Sequence, residues 1–189
     1  MNTRSTTHIT VLGLGNVLYG DEGLGVFAAA ELHRKWDFMP AVEVVDGGTL
    51  GHTLLGYVER ASHLLLLDAV DFGLAPGAVT VRTGDAIPMY LTGHKVSPHQ
   101  NSFSEVLALA ALRDNLPREL VLIGMQPERM DMGFPLSTRV RRGLHQMENK
   151  ALAQIRHWGA QTVRTAEDRR LCHPCLRIEH LSMEHGNML

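Results

Sequence analysis

Asp21, Glu22, Asp46, Asp68 and Asp71 each stand just beyond a short apolar run, and His94 and His99 lie together in the segment GHKVSPHQNS. Carboxylate oxygen and imidazole nitrogen form a donor set suited to borderline divalent ions such as nickel or zinc, and equally to acid–base chemistry. Taken singly, most of these residues have a plainer reading. Asp21 or Glu22 in the first turn of a helix would answer the positive end of the helix dipole. Asp46 would cap a following helix or brace its own turn beside Gly47 and Gly48, and His99 would be a loop or capping histidine. Asp68 is harder to dismiss. It ends four consecutive leucines, where a carboxylate is costly unless hydrogen-bonded or bound to a cation.

The elements that must position these residues alternate in type. Residues 8–13 (HITVLG), 41–46 (AVEVVD), 63–67 (HLLLL) and 120–124 (LVLIG) read as strands, and 78–82 (AVTVR) as an edge or hairpin strand after the Pro76-Gly77 turn. Helices are expected over 22–36, 49–60, 102–114 and 138–158. The third is expected to open on a capping box of Ser102 and Glu105, and the last carries Val140, Leu144, Met147, Ala151 and Ile155 at three- and four-residue spacing. Strand and helix in alternation indicate a three-layer α/β domain, a mostly parallel sheet with helices on both faces. In such a sheet the ligand crevice lies beyond the carboxyl ends of the strands, where the acidic residues collect. One domain is expected over residues 1–165, with a flexible polar tail over 166–189.

Composition narrows the partners. With 18 Lys+Arg against 20 Asp+Glu in 189 residues, the net charge of -2 gives no global attraction to nucleic acid or to anionic membrane. No apolar run approaches the roughly 20 residues of a membrane span. The N-terminal run leads into Gly-Asp-Glu with no small-residue cleavage site, so the expected location is the cytoplasm. Cys172 and Cys175, the only cysteines, fall near the C-terminus, which excludes a disulfide framework for the body of the fold. Cys172-His-Pro-Cys175, with His180 and His185, is a weak metal signal because no second pair follows at zinc-like spacing.

Familiar motifs fail. Gly13-x-Gly15 followed by an acid at Asp46 suggests dinucleotide binding, yet the third glycine of the fingerprint is replaced by Leu18, and Asp21 and Glu22 carry the wrong sign for a pyrophosphate. Neither a phosphate-binding P-loop nor a serine-hydrolase elbow is present.

The segment from Gly13 to Gly25 (GLGNVLYGDEGLG), together with Asp46-Gly-Gly-Thr49, Leu67-Asp-Ala69 and Ser97-Pro-His-Gln100, resembles the hydrogenase maturation proteases. These endopeptidases remove a C-terminal extension from the large subunit of [NiFe] hydrogenases. The resemblance covers about residues 8–160, with the motifs in the same order, and is nearest to the branch serving uptake hydrogenases. It implies a twisted, mostly parallel five-stranded sheet flanked by helices. It also implies a metal site of Glu22, Asp68 and His99, which are among the residues singled out above by position. The ion would be nickel carried by the hydrogenase large-subunit precursor, with no permanent catalytic metal in the protease. Asp46 and Asp68 are the candidate catalytic carboxylates, without a decision on which is the base. A protein that holds nickel or escorts the precursor without cutting it is the alternative.

Overall fold

The structure is a computed structural model that describes residues 7–84, 87 and 98–165, with backbone alone over 98–102. The 166–189 tail, with Cys172 and Cys175, lies outside the described residues, as does His94. The main sheet contains β1 (Ile9–Leu14), β3 (Glu43–Gly48), β4 (His63–Ala69), β5 (Val79–Thr83) and β6 (Glu119–Met125) in the order β3-β1-β4-β6-β5. Only β5 runs antiparallel, at the edge, as its alternating sequence led one to expect. The helices that flank the sheet among the described residues include α1 (Leu24–Lys35), α2 (Leu55–Arg60), α3 (Pro98–Leu112) and α4 (Thr138–His157). No helix among the described residues is long and apolar enough to cross a membrane.

Strand periodicity sorts the core into two layers. Ile9, Val11, Leu65, Leu67, Val121 and Ile123 face α1 and α4. Leu12, Leu14, Leu64, Leu66 and Leu122 face α2 and α3. Central β4 is apolar on both faces for that reason. Truncating a wholly buried leucine such as Leu66 would cost about 2–5 kcal/mol.

Three expectations need correction. The first two helices each open as a 3-10 turn, over Gly20–Gly23 and Gly51–Leu54, before α1 and α2 begin. α3 starts at Pro98, so Ser102 is its fifth residue and there is no capping box. Proline's fixed φ and missing N–H suit a first helical position, which moves the start upstream. Glu105 instead faces His52, with Oε2 3.6 Å from Nε2. Finally, Trp36 does not close α1 but opens β2 (Trp36–Met39), which pairs antiparallel with β7 (Gln161–Arg164) in a small second sheet. Both strands have four residues, too few for a periodic signal. Glu148 on α4 anchors this ribbon by accepting from Lys35 Nζ at 2.9 Å and Trp36 Nε1 at 2.8 Å.

Candidate active site at the carboxyl edge of the sheet

Parallel pairing brings the ends of three strands together. Gly13 of β1 is registered with Asp46 of β3 on one side and with Leu67 of β4 on the other, and Asp68 follows opposite Gly124 of β6. The glycine-rich segment then packs directly on these ends. A Cβ on Gly13 would lie 2.4 Å from the Gly25 carbonyl oxygen, and one on Gly25 would lie 2.1 Å from that of Leu67. Gly15, at φ +119°, approaches the Glu22 carbonyl so closely that a Cβ would sit at 1.8 Å. Removing side chains lets the 3-10 turn carrying Glu22 lie against the ends of β1 and β4. Gly13, inside β1, is therefore a helix–strand contact, and the turn begins at Gly15.

The adjacent acids Asp21 and Glu22 differ in role. Asp21 is wholly buried and accepts three backbone N–H bonds from the β6–α4 loop: Glu128 at 2.9 Å and Arg129 at 3.1 Å to Oδ2, and Ser137 at 2.6 Å to Oδ1. Its own N–H donates to the Arg129 carbonyl at 3.0 Å. Asp21 is thus a structural clamp. Glu22 is buried in the same turn.

Asp68 is wholly buried at the end of β4, and its Oδ1 accepts the Ala69 N–H at 2.8 Å. Strand alternation puts it on the face of Leu64 and Leu66, which is the α2–α3 side. Asp46, also buried, alternates with Val45 and shares the α1 side with Val44. It caps no helix, since the 3-10 turn after β3 begins without a side-chain cap. The two aspartates project to opposite faces.

α3 brings its first turn to this edge. From its C-terminus the chain enters β6, and Arg118 N–H bonds the Ser62 carbonyl at 2.8 Å at the opposite, amino edge. The helix therefore runs back across the sheet, with Glu105 near the turn that follows β3 and His99 one residue past its start. The imidazole of His99 is outside the described side chains. Among the described residues no three His, Cys, Asp or Glu side chains are grouped to hold a metal.

Asp71 is exposed and organises the loop after β4, accepting from Gly73 N–H at 2.9 Å and Gln126 Nε2 at 3.1 Å. Gln126, buried, is a residue the sequence reading missed, although a polar side chain ending the apolar run of β6 was the available signal. Its Oε1 takes the N–H groups of Phe72 and Leu74 at 2.8 and 3.2 Å.

At the amino edge, Ser62 Oγ lies 2.8 Å from His63 Nδ1, and His63 Nε2 lies 3.8 Å from Glu119 Oε1. This triad-like order is not a nucleophile site. Ser62 is buried, its oxygen accepts the His8 N–H at 2.8 Å, and its hydroxyl is 3.1 Å from the His8 carbonyl. Burial pushes the His63 imidazole below its usual pKa, with Glu119 opposing and Arg118 reinforcing the shift.

A mostly parallel α/β sheet with buried carboxylates on its carboxyl edge and a glycine-packed 3-10 turn defines a class in which the ligand meets strand ends. The particular family follows from comparison with known proteins. Residues 26–154 match the family model for hydrogenase maturation protease. The chain is 42% identical over 161 residues to the hydrogenase expression/formation protein HoxM of Cupriavidus necator, covering 84% of this chain and 80% of that one. It is 33% identical to the hydrogenase 2 maturation protease of Escherichia coli, over 82% of this chain and 94% of the relative. The solved structure of the hydrogenase maturating endopeptidase HybD from E. coli superposes with a TM-score of 0.80 at 32% identity, covering 84% and 98% of the two chains. The chain belongs to the hydrogenase maturation protease family and is an endopeptidase.

Proposed function

We propose that this endopeptidase removes the C-terminal extension of a [NiFe] hydrogenase large-subunit precursor after nickel has been inserted, and that it reads the nickel with Glu22, Asp68 and His99. The observation that carries the reading is a shared edge. The 3-10 turn with Glu22, the end of β4 with Asp68 and the first turn of α3 with His99 all belong to the carboxyl side of one sheet. Asp68 and α3 also share a face.

Nickel is a borderline ion that an imidazole nitrogen suits, and two carboxylates would balance its charge. The ion enters as part of the substrate. Held by these three side chains, it would fix the scissile peptide in place and polarise its carbonyl or an attacking water. Asp46 lies on the α1 side, which fits a residue that orients the Glu22 turn better than one that takes the proton from water. Asp68 is then the preferred base, through the carboxylate oxygen that does not hold the ion, and two aspartates on opposite faces do not support a dyad sharing one proton.

The test is incubation of the protein with its precursor in nickel-loaded and nickel-free forms, followed by mass measurement of the precursor. Loss of a C-terminal fragment from the loaded form alone is expected. Equal loss from both would remove the nickel gate, and loss from neither would favour an escort that does not cut.

A further inference from the structure

The β6–α4 loop and the start of α4 border an open cleft of about 460 Å³ lined by Glu128, Arg129, Ser137, Thr138, Arg139 and Arg142. One carboxylate faces three guanidiniums, and Glu128 is already paired with Arg139. Among the described residues neither Arg129 nor Arg142 pairs with a carboxylate, so the cleft keeps a surplus of positive charge in a chain whose net charge is -2.

That charge does not serve the helix. α4 carries no acidic residue in its first turn and places Arg139, Arg141 and Arg142 near its positive end, against the dipole. Arg141 has a structural use, donating to the Leu136 carbonyl at 3.1 Å. Arg142 has none of that kind.

An apolar ledge adjoins the cleft. Leu18, Met132 and Phe134 are 44%, 67% and 49% exposed, which is unusual for large apolar side chains grouped on two touching loops. Gly133 N–H bonds the Leu18 carbonyl at 2.9 Å, and Arg129 stacks over the Phe134 ring at 4.7 Å, so ledge and cleft share a residue. Asp21, the neighbour of Glu22, clamps the β6–α4 loop of this ledge.

We infer that the Arg129–Arg139–Arg142 cleft and this ledge form the docking surface for the precursor polypeptide, the cleft taking an acidic segment and the ledge the apolar residues beside it. The inference rests on the precursor being the substrate. It adds a specificity surface distinct from the nickel ligands. Arginine suits the task because its planar fork binds carboxylates in two-point fashion.

The experiment compares the full chain with the Arg129→Glu/Arg142→Glu variant and with Arg142→Glu alone. Cleavage of nickel-loaded precursor yields kcat and KM, and anisotropy of labelled nickel-free precursor yields Kd across a salt series. The double variant is expected to raise KM and Kd by about tenfold or more, to flatten the salt dependence, and to leave kcat within about twofold. Arg142→Glu sits on an exposed helix start where a carboxylate does not oppose the dipole, so it keeps the fold and should show part of the same loss. Unchanged KM, Kd and salt slope, or a fall in kcat alone, would overturn the inference. If the wild-type chain cuts neither precursor form, the processing reading fails, and the Kd comparison still decides the docking surface.

Discussion

The α-carbon of Gly25 is held so close to β4 that a methyl group there would lie 2.1 Å from the Leu67 carbonyl oxygen and 2.5 Å from that of Leu14. Both atoms are backbone in central strands and neither can yield. Gly25→Ala should destabilise the protein by about 3 kcal/mol or more, at the upper end of overpacking, and should displace the Glu22 turn from Asp68. Gly73→Ala is the control. Its φ is +66° with nothing within 4 Å of the new methyl, so the cost is about 1 kcal/mol from backbone strain alone. Urea unfolding of the two variants measures the difference, and equal midpoints would disprove the close-packing account.

The loop clamp gives a second expectation. Asp21→Asn replaces one of two acceptor oxygens with an amide that itself donates, facing N–H groups of Glu128, Arg129 or Ser137. A buried donor left without an acceptor costs about 1–3 kcal/mol, and more when the lost partner was charged. Stability should fall by about 3 kcal/mol, and the amides of residues 128, 129 and 137 should exchange hydrogen faster than those of β4. Unchanged protection at these three amides would mean that Asp21 does not hold the loop.

Asp21 and Glu22 also mark where sequence reading stopped. The strand ends were legible, because an acid closing a run such as LLLLD in an alternating α/β order can hardly be elsewhere than the carboxyl edge of the sheet. The difference between two neighbouring acids was not, since it depends on a loop more than a hundred residues away folding onto one of them. The same holds for the glycines of residues 13–25. Their spacing matches a failed dinucleotide motif, whereas their chief work is close approach of α1 to β1 and β4. Four-residue β2 and β7 were too short to leave a pattern, and Pro98 moved the start of α3 upstream of the expected Ser102 cap. Topology was thus written in periodicity, and the division of labour within the site was written in tertiary contacts.

The site proposal separates its residues by magnitude. Loss of a residue that supports a metal ligand costs roughly 10–100-fold, so loss of a ligand itself should cost more. Glu22→Gln and His99→Ala are expected to lower cleavage of nickel-loaded precursor by more than about a hundredfold. Asp46→Asn, on the other face of the sheet, should lower it by about 10–100-fold or less. Circular dichroism and urea midpoints check that each variant folds. Full processing by His99→Ala would exclude His99 from the site, and a larger loss in Asp46→Asn than in Asp68→Asn would transfer the base role to Asp46.

His63 should make the fold sensitive to mild acid. Its ring packs on Trp158 with centroids 5.2 Å apart, and burial favours the neutral form more strongly than Glu119 favours the cation. The folded pKa is therefore depressed below the ordinary value of about 6.5. As pH falls through about 6.5 the unfolded chain takes up a proton at this residue before the folded one does, so stability declines with falling pH until the lower folded pKa has been passed. Above about 7 the contribution is fully present. His63→Asn removes the titrating group and keeps a polar atom toward Ser62. The variant should be less stable at pH 7.5, through loss of the Trp158 contact, but its stability should change less between pH 7.5 and 5. Every other residue is common to both proteins, so the difference between the two urea-unfolding curves isolates His63. Parallel curves over that interval would mean that His63 has the same affinity for protons folded and unfolded, contrary to its burial.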